Sequence, residues 1–413
     1  MSPSTEAVAD GGSEQAAAPC ARALAPLRVA IVIGVAGVVG LSGCVTRAAS
    51  GGDVALSEAA AAPVTSGAAS ATPNPTVTNP AHTVPGTCPD PNLWTTRALA
   101  ELVVVPGIDG GGGWPEWLPA TTGGVFLDSL STGLAAGNFT APPVSSTISP
   151  FVAVDFEGGV VSRHADVIGA LPSPRDQSAT MSPAEIQSVA AERGQAMRQV
   201  GITVDFAPVV DLDLGSPIVG SRSYGSESDV VVRNAGAFAT GLQQAHVVPT
   251  LKHFPGHGST EGDSHEALAS TESWDVLARR DVVVFQELLA RPGPWLVMMG
   301  HVVVPGLSAD AETPASVDPA TYRALRDTTG YTGPVITDDL ASMRAISDRL
   351  PPDQAVVSAI SAGADLALLS EASTLDDAVT ALTTWADVDV AHRTQLVASA
   401  TRAMSVMPCG TGW

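Results

Sequence analysis

The chain has 413 residues, 45% of them apolar, enough for one large domain or two ordinary ones with a sizeable core. Its 42 acidic residues against 20 basic ones give a formal net charge of -22 and a sequence pI of about 4.5. That balance excludes nucleic acid and an anionic membrane surface as the main partner.

At the N-terminus, Arg22 and Arg28 precede an apolar run from Val29 to Val39, too short to span a bilayer as a mature helix. The run leads into Leu41-Ser42-Gly43-Cys44, which resembles a bacterial lipobox. The resemblance implies that residues 1–43 are a leader and that Cys44 is lipidated. The protein is then expected to be exported and held to the outer face of the cytoplasmic membrane by that lipid alone. The alternative is a plain secretory leader with an incidental cysteine. Removing the leader takes away two basic and three acidic residues, leaving 18 minus 39, or -21, so the mature chain stays acidic. The acidic stretch before Arg22 is long for a leader and fits a start downstream of Met1.

Residues 44–92 follow as a tether rich in Ala, Ser, Thr and Pro, with no apolar periodicity and a random-coil reach on the order of 40 Å. With Cys20 in the leader and Cys44 lipidated, Cys88 and Cys409 remain as the pair an oxidising compartment would join. A disulfide there would tie together the ends of the folded region, residues 93–413; two free thiols is the other reading.

Within that region, short apolar runs suited to buried parallel strands recur at Leu102–Val105, Gly124–Leu127, Phe151–Asp155, Ile202–Phe206, Val247–Leu251, Leu296–Met299, Pro334–Thr337 and Leu366–Leu369. Helical patterns separate the later ones. Pro183–Val200 opens after Ser182, a good N-cap, and Ser228–Gln244, Asp275–Ala290, Pro319–Thr328 and Asp353–Ala362 behave likewise. Ala391–Met407 reads as the last helix and leaves no room for a second domain. Eight strands alternating with helices predict an α/β fold, a single (β/α)8 TIM-type barrel. Its first units are expected to be irregular, because their connections are rich in Gly and Pro. In such barrels the chemistry lies at the C-terminal ends of the strands. Asp155, Lys252-His253, His301 and Asp338-Asp339 all stand there.

Lys252-His253-Phe254-Pro255-Gly256-His257-Gly258, followed by Asp263-Ser264-His265, places three histidines, a lysine and an aspartate within 14 residues. Pro and Gly break any regular element, so the segment reads as a loop rich in titratable groups, which is the usual composition of a site. It closely resembles the signature of the family 3 glycoside hydrolases, nearest the β-N-acetylglucosaminidase branch, in which an Asp-Ser-His element follows the Lys-His-Phe-Pro-Gly-His-Gly run. The resemblance spans roughly residues 100–370.

The resemblance implies roles residue by residue. Asp338, the first Asp of Thr337-Asp338-Asp339, would be the nucleophile of a retaining exo-β-N-acetylglucosaminidase, with Asp339 supporting it. His265, oriented by Asp263, would be the acid/base; Glu266 is a rival carboxylate. A carboxylate partner orients an imidazole that titrates near neutral pH, so the pairing is chemically sound. Asp155 in Asp155-Phe156-Glu157-Gly158-Gly159, Arg163, Arg222 in Gly220-Ser221-Arg222-Ser223, Lys252 and His253 would bind sugar hydroxyls. Val160 stands where the family often has an Arg, so the resemblance leaves one secondary contact open and not the site. Glu157 and Asp211 read as structural; His257 is either a ligand or a loop-shaping residue. The implied substrate is a terminal N-acetylglucosamine on a cell-wall glycan or muropeptide, with no cofactor or metal and a monomeric enzyme. Water and phosphate both stand open as acceptors.

Other readings remain. A β-glucosidase of the same family differs in substrate alone. A metal-dependent hydrolase could use His253, His257, His265 and Asp338, but the chain has neither His-x-His at a strand end nor His-Glu-x-x-His. A glycan-binding lipoprotein without activity would not need the nucleophile and the Asp-His pair. Gly110–Gly113 lacks the context of a phosphate loop, and the seven Trp read as packing residues before sugar walls.

Overall fold

The computed structural model describes residues 89–110, 114–127 and 148–407. Cys44, Cys88 and Cys409 lie outside them, as do the leader and nearly all of the tether.

Eight parallel strands form the core: β1 Val104–Ile108, β2 Gly124–Leu127, β3 Phe151–Val154, β4 Val204–Asp205, β5 Val248–Phe254, β6 Leu296–Met299, β7 Val335–Thr337 and β8 Ala367–Leu369. Neighbours in sequence pair in parallel from β1 to β7, and β8 pairs with β1, as in Val104 opposite Ala367. The ring closes between β7 and β8 through one bridge, Ile336 to Leu366. Here side chains share the work of the backbone. Thr337 Oγ1 accepts the Leu368 amide at 3.1 Å, and Asp365 accepts the Val335 amide at 2.9 Å. The eight expected strands are therefore present, and the chain folds as a (β/α)8 barrel.

Every residue of these strands is buried, which is why they read as apolar runs rather than alternating ones. Phe126 and Phe206 stack inside the ring with centroids 5.5 Å apart.

The outer helices are α1 Thr96–Val103, α2 Pro183–Gln199, α3 Ser228–Gln244, α4 Trp274–Leu289, α5 Pro319–Thr329, α6 Pro352–Ala362, α7 Leu375–Val388 and α8 Val390–Ala403. Ser182 and Glu185 form a complete capping box at the start of α2. Asp318 caps α5, which ends on Gly330 in the left-handed region.

Two helices differ from the sequence reading. Leu102 and Val103 close α1 instead of opening a strand, because the helix runs into β1 without a breaker. Helix α7 stands before the expected last helix, and its buried stripe of Leu375, Ala378, Val379, Leu382 and Ala386 packs it against α1, α6 and α8. The connection after β1 carries no α-helix among its described residues, in line with an irregular first unit; most of the connection after β2 lies outside them.

Candidate active site

A cavity of about 450 Å³ opens at the C-terminal ends of the strands. Asp155, Arg163, Arg222, Lys252, His253, His265 and Asp338, all singled out in the sequence, line it together. Asp263 reaches it through His265.

The floor is an ion-pair lattice. Lys252, at the end of β5, places Nζ 2.7 Å from Asp155 Oδ1 and 2.8 Å from Glu157 Oε1. Arg222 donates both arms of its guanidinium to Glu157, at 2.8 and 2.7 Å. Burial pushes the Glu157 carboxyl up, but the charges of Arg222 and Lys252 outweigh it and bring the pKa down to about 2. Burial works against the charge of Lys252, yet Asp155 and Glu157 hold its ammonium above the usual range. Glu157 thus holds the cations of Arg222 and Lys252 in place. Arg163 is poised differently. Its Nε is buried with no hydrogen-bond partner among the described residues, a donor that calls for an acceptor from outside the chain.

Asp211 organises the wall. It accepts His253 Nδ1 at 2.6 Å and the His257 amide at 2.7 Å. Burial opposes its charge, but His253 and His257 hold its pKa below the ordinary value. The Lys252–His253 peptide bond is cis, and both side chains line the cavity. The glycines of the run are sterically required. A Cβ on Gly258 would stand 1.9 Å from the Leu212 carbonyl oxygen, and Gly256 adopts φ +137 against Asp281.

Asp338 follows β7, and its amide donates to Met299 O at 2.9 Å. Burial disfavours its charge. His253, His301, His265 and Lys252 more than compensate, and the carboxyl lies well below the usual carboxylate range. It is an anion at every physiological pH. Asp339 turns the other way and accepts the amides of Ala341, Ser342 and Ser370 and the hydroxyls of Ser342 and Ser370. It supports the rim and joins the end of β7 to that of β8. His301 is buried between Ser316 Oγ at 2.7 Å and the Asp339 carbonyl at 2.9 Å, so it braces the same turn.

His265 stands over the cavity on an exposed loop. Asp263 Oδ1 accepts both its amide and its Nδ1, each at 2.8 Å. Those bonds outweigh partial burial and lower the Asp263 pKa. With Nδ1 engaged, Nε2 is the ring nitrogen left for exchange with a ligand.

The sequence did not point to Phe126, Ile218, Met298, Met343, Ser370 or Glu371, which also line the cavity. Phe126 and Met298 reach it from β2 and β6 and the others from loops at the strand ends, and no motif marks them. Phe126 gives the cavity an aromatic face, whereas none of the described Trp reaches it. Among the described residues, no group of three or more His, Cys, Asp or Glu is placed to hold a metal ion.

This geometry has relatives. Residues 139–406 match the model of the glycosyl hydrolase family 3 N-terminal domain. Over 320 residues the chain is 39% identical to the β-hexosaminidase LpqI of Mycobacterium tuberculosis, covering 74% of this chain and 80% of that one. The solved structure of M. tuberculosis LpqI superposes with a TM-score of 0.71 at 34% identity, covering 80% of this chain and all of that one (100%). A family 3 β-N-acetylglucosaminidase from a Paenibacillus species superposes with a TM-score of 0.70 at 28% identity, covering 76% of this chain and 62% of that one. The chain therefore belongs to glycosyl hydrolase family 3, and it is a glycoside hydrolase.

Proposed function

We propose that the protein is a retaining exo-β-N-acetylglucosaminidase that removes terminal N-acetylglucosamine from peptidoglycan fragments. The observation that carries this reading is that one cavity is lined by both Asp338, a carboxylate at the end of β7, and His265, whose Nδ1 is tied to Asp263. An Asp at this place can attack the anomeric carbon and form a glycosyl ester while the bond to the leaving oxygen breaks. His265 Nε2 gives its proton to that oxygen. The same nitrogen then takes a proton from water as the water attacks the anomeric carbon and releases Asp338. Asp155, Arg163, Arg222, Lys252 and His253 supply the donors and acceptors that hold the sugar hydroxyls.

The names of the relatives support an N-acetylhexosamine in the cavity. The leader ending at Leu41-Ser42-Gly43-Cys44 supports a lipid-anchored enzyme outside the cytoplasmic membrane, where the glycan within reach of the tether is the cell wall.

Release of a chromogenic phenol from matched β-N-acetylglucosaminide and β-glucoside substrates tests the reading. The N-acetyl sugar is expected to be strongly preferred, and Asp338→Ala is expected to lose about 10⁴-fold in kcat or more. Preference for the glucoside would replace the activity with that of a β-glucosidase. Full turnover by the variant would remove Asp338 as nucleophile, and first release of the α-anomer, read by NMR, would overturn retention.

A further inference from the structure

From Glu261 to Ala267 the chain is exposed or half-exposed at every residue but one: Ser264 has no exposed surface. It lies between Asp263 and His265, and its buried side chain lines the inner wall of the cavity while His265 stands exposed over it. Its hydroxyl is 3.1 Å from His257 Nε2, and its carbonyl accepts the Ala345 amide at 3.1 Å. Two residues before it, Gly262 has φ +115, a backbone conformation that favours glycine.

The direction of the Ser264 bond follows from its neighbours. Thr260 Oγ1 donates to the His257 carbonyl at 3.0 Å, so it accepts from His257 Nδ1, also at 3.0 Å. The proton of neutral His257 is then on Nδ1, and Nε2 accepts the hydroxyl of Ser264. Burial, reinforced by the charge of His253, lowers the His257 pKa to about 4 and keeps the ring neutral in the working range. His257 itself is fixed to the barrel by its amide bond to Asp211 and, through Thr260, by Ser216 at 2.8 Å.

We propose that His257 and Ser264 are positioning residues that latch the acid/base loop to the barrel, so that their hydroxyl-to-imidazole bond, beside the backbone bonds from Arg344 and Ala345, seats His265 over the leaving oxygen. The proposal rests on the reading of His265 as proton donor. Without the latch, His257 Nε2 is left buried and unpaired and the loop loses its inward side-chain anchor. Proton transfer falls off steeply when the donor is misplaced, while a leaving group that departs as a stable anion needs no proton.

The experiment is a comparison of kcat/KM for two aryl β-N-acetylglucosaminides, one releasing dinitrophenol and one a phenol of high pKa, in the full chain. Ser264→Ala and His257→Gln are each expected to lower kcat/KM on the poor leaving group about tenfold more than on the activated one. Ser264→Cys, nearly isosteric and a weaker donor, reads the same ratio if the alanine variant does not fold. Amide exchange at Ala345 is expected to speed up in Ser264→Ala, because that N–H donates to the Ser264 carbonyl. His265→Ala runs alongside. If it shifts the ratio and the folded latch variants do not, the latch is overturned while His265 stands. If it does not shift the ratio, His265 is not the proton donor and the latch falls with it.

Discussion

Glu157 shows how a single side chain can serve a site without touching substrate. It is fully buried, and it gathers the Arg222 guanidinium and the Lys252 ammonium into fixed positions. Removing one partner of a buried ion pair leaves an uncompensated charge, which costs far more than the pair gains. Glu157→Gln is expected to lower stability at neutral pH by about 3 kcal/mol and to raise KM more than it lowers kcat. The sign with pH follows from its depressed pKa. Its contribution is present above the ordinary carboxyl value of 4.5 and is lost as the pH falls toward about 2. Denaturation midpoints measured across that window should fall more steeply for the wild type than for the variant, which still loses the contributions of Asp211, Asp263 and Asp338. The family motif placed Glu157 beside the site, but the sequence held no sign that Arg222, 65 positions away, would meet it.

Among the elements, the pair α2 and α3 is packed with the least room. A Cβ on Gly241 would stand 2.3 Å from the Gln187 carbonyl oxygen, and one on Gly194 would stand 2.7 Å from Ala245 Cβ. Gly241→Ala is expected to destabilise the fold by about 1–3 kcal/mol through overpacking, against the usual helical preference for Ala. The thermal midpoint should fall while kcat/KM per folded molecule stays unchanged. Elements of this kind were legible in the sequence wherever one period ran between clear breakers: Ser228–Gln244 has the bounds its pattern predicts. Legibility failed at α1, where helix passes into strand inside one apolar run, and at α7. The latter buries a regular stripe, but Thr380, Thr383 and Thr384 dilute its helical propensity.

For the molecule as a whole, the barrel was readable because each buried strand is an apolar run and the charged residues stand at the strand ends. What could not be read was distance. Glu371 and Met343 enter the cavity only because strands far apart in sequence are neighbours in the ring. The charge of -22 acts at this scale too. It repels anionic glycans, so kcat/KM for a substrate with a free carboxylate is expected to rise a few-fold with added salt, while a neutral chromogenic substrate stays level. A flat response for both, in initial rates across ionic strength, would show that the cations of the cavity outweigh the net field. Finally, the ring is thinnest between β7 and β8, where the strand that leads into Asp338 meets its neighbour and the Asp339 carboxylate spans the gap to Ser370. The clasp of the hoop is thus part of the cavity mouth. A change made there to retune chemistry also loosens the hoop, so the seam beside Asp338 answers to the fold as well as to the site.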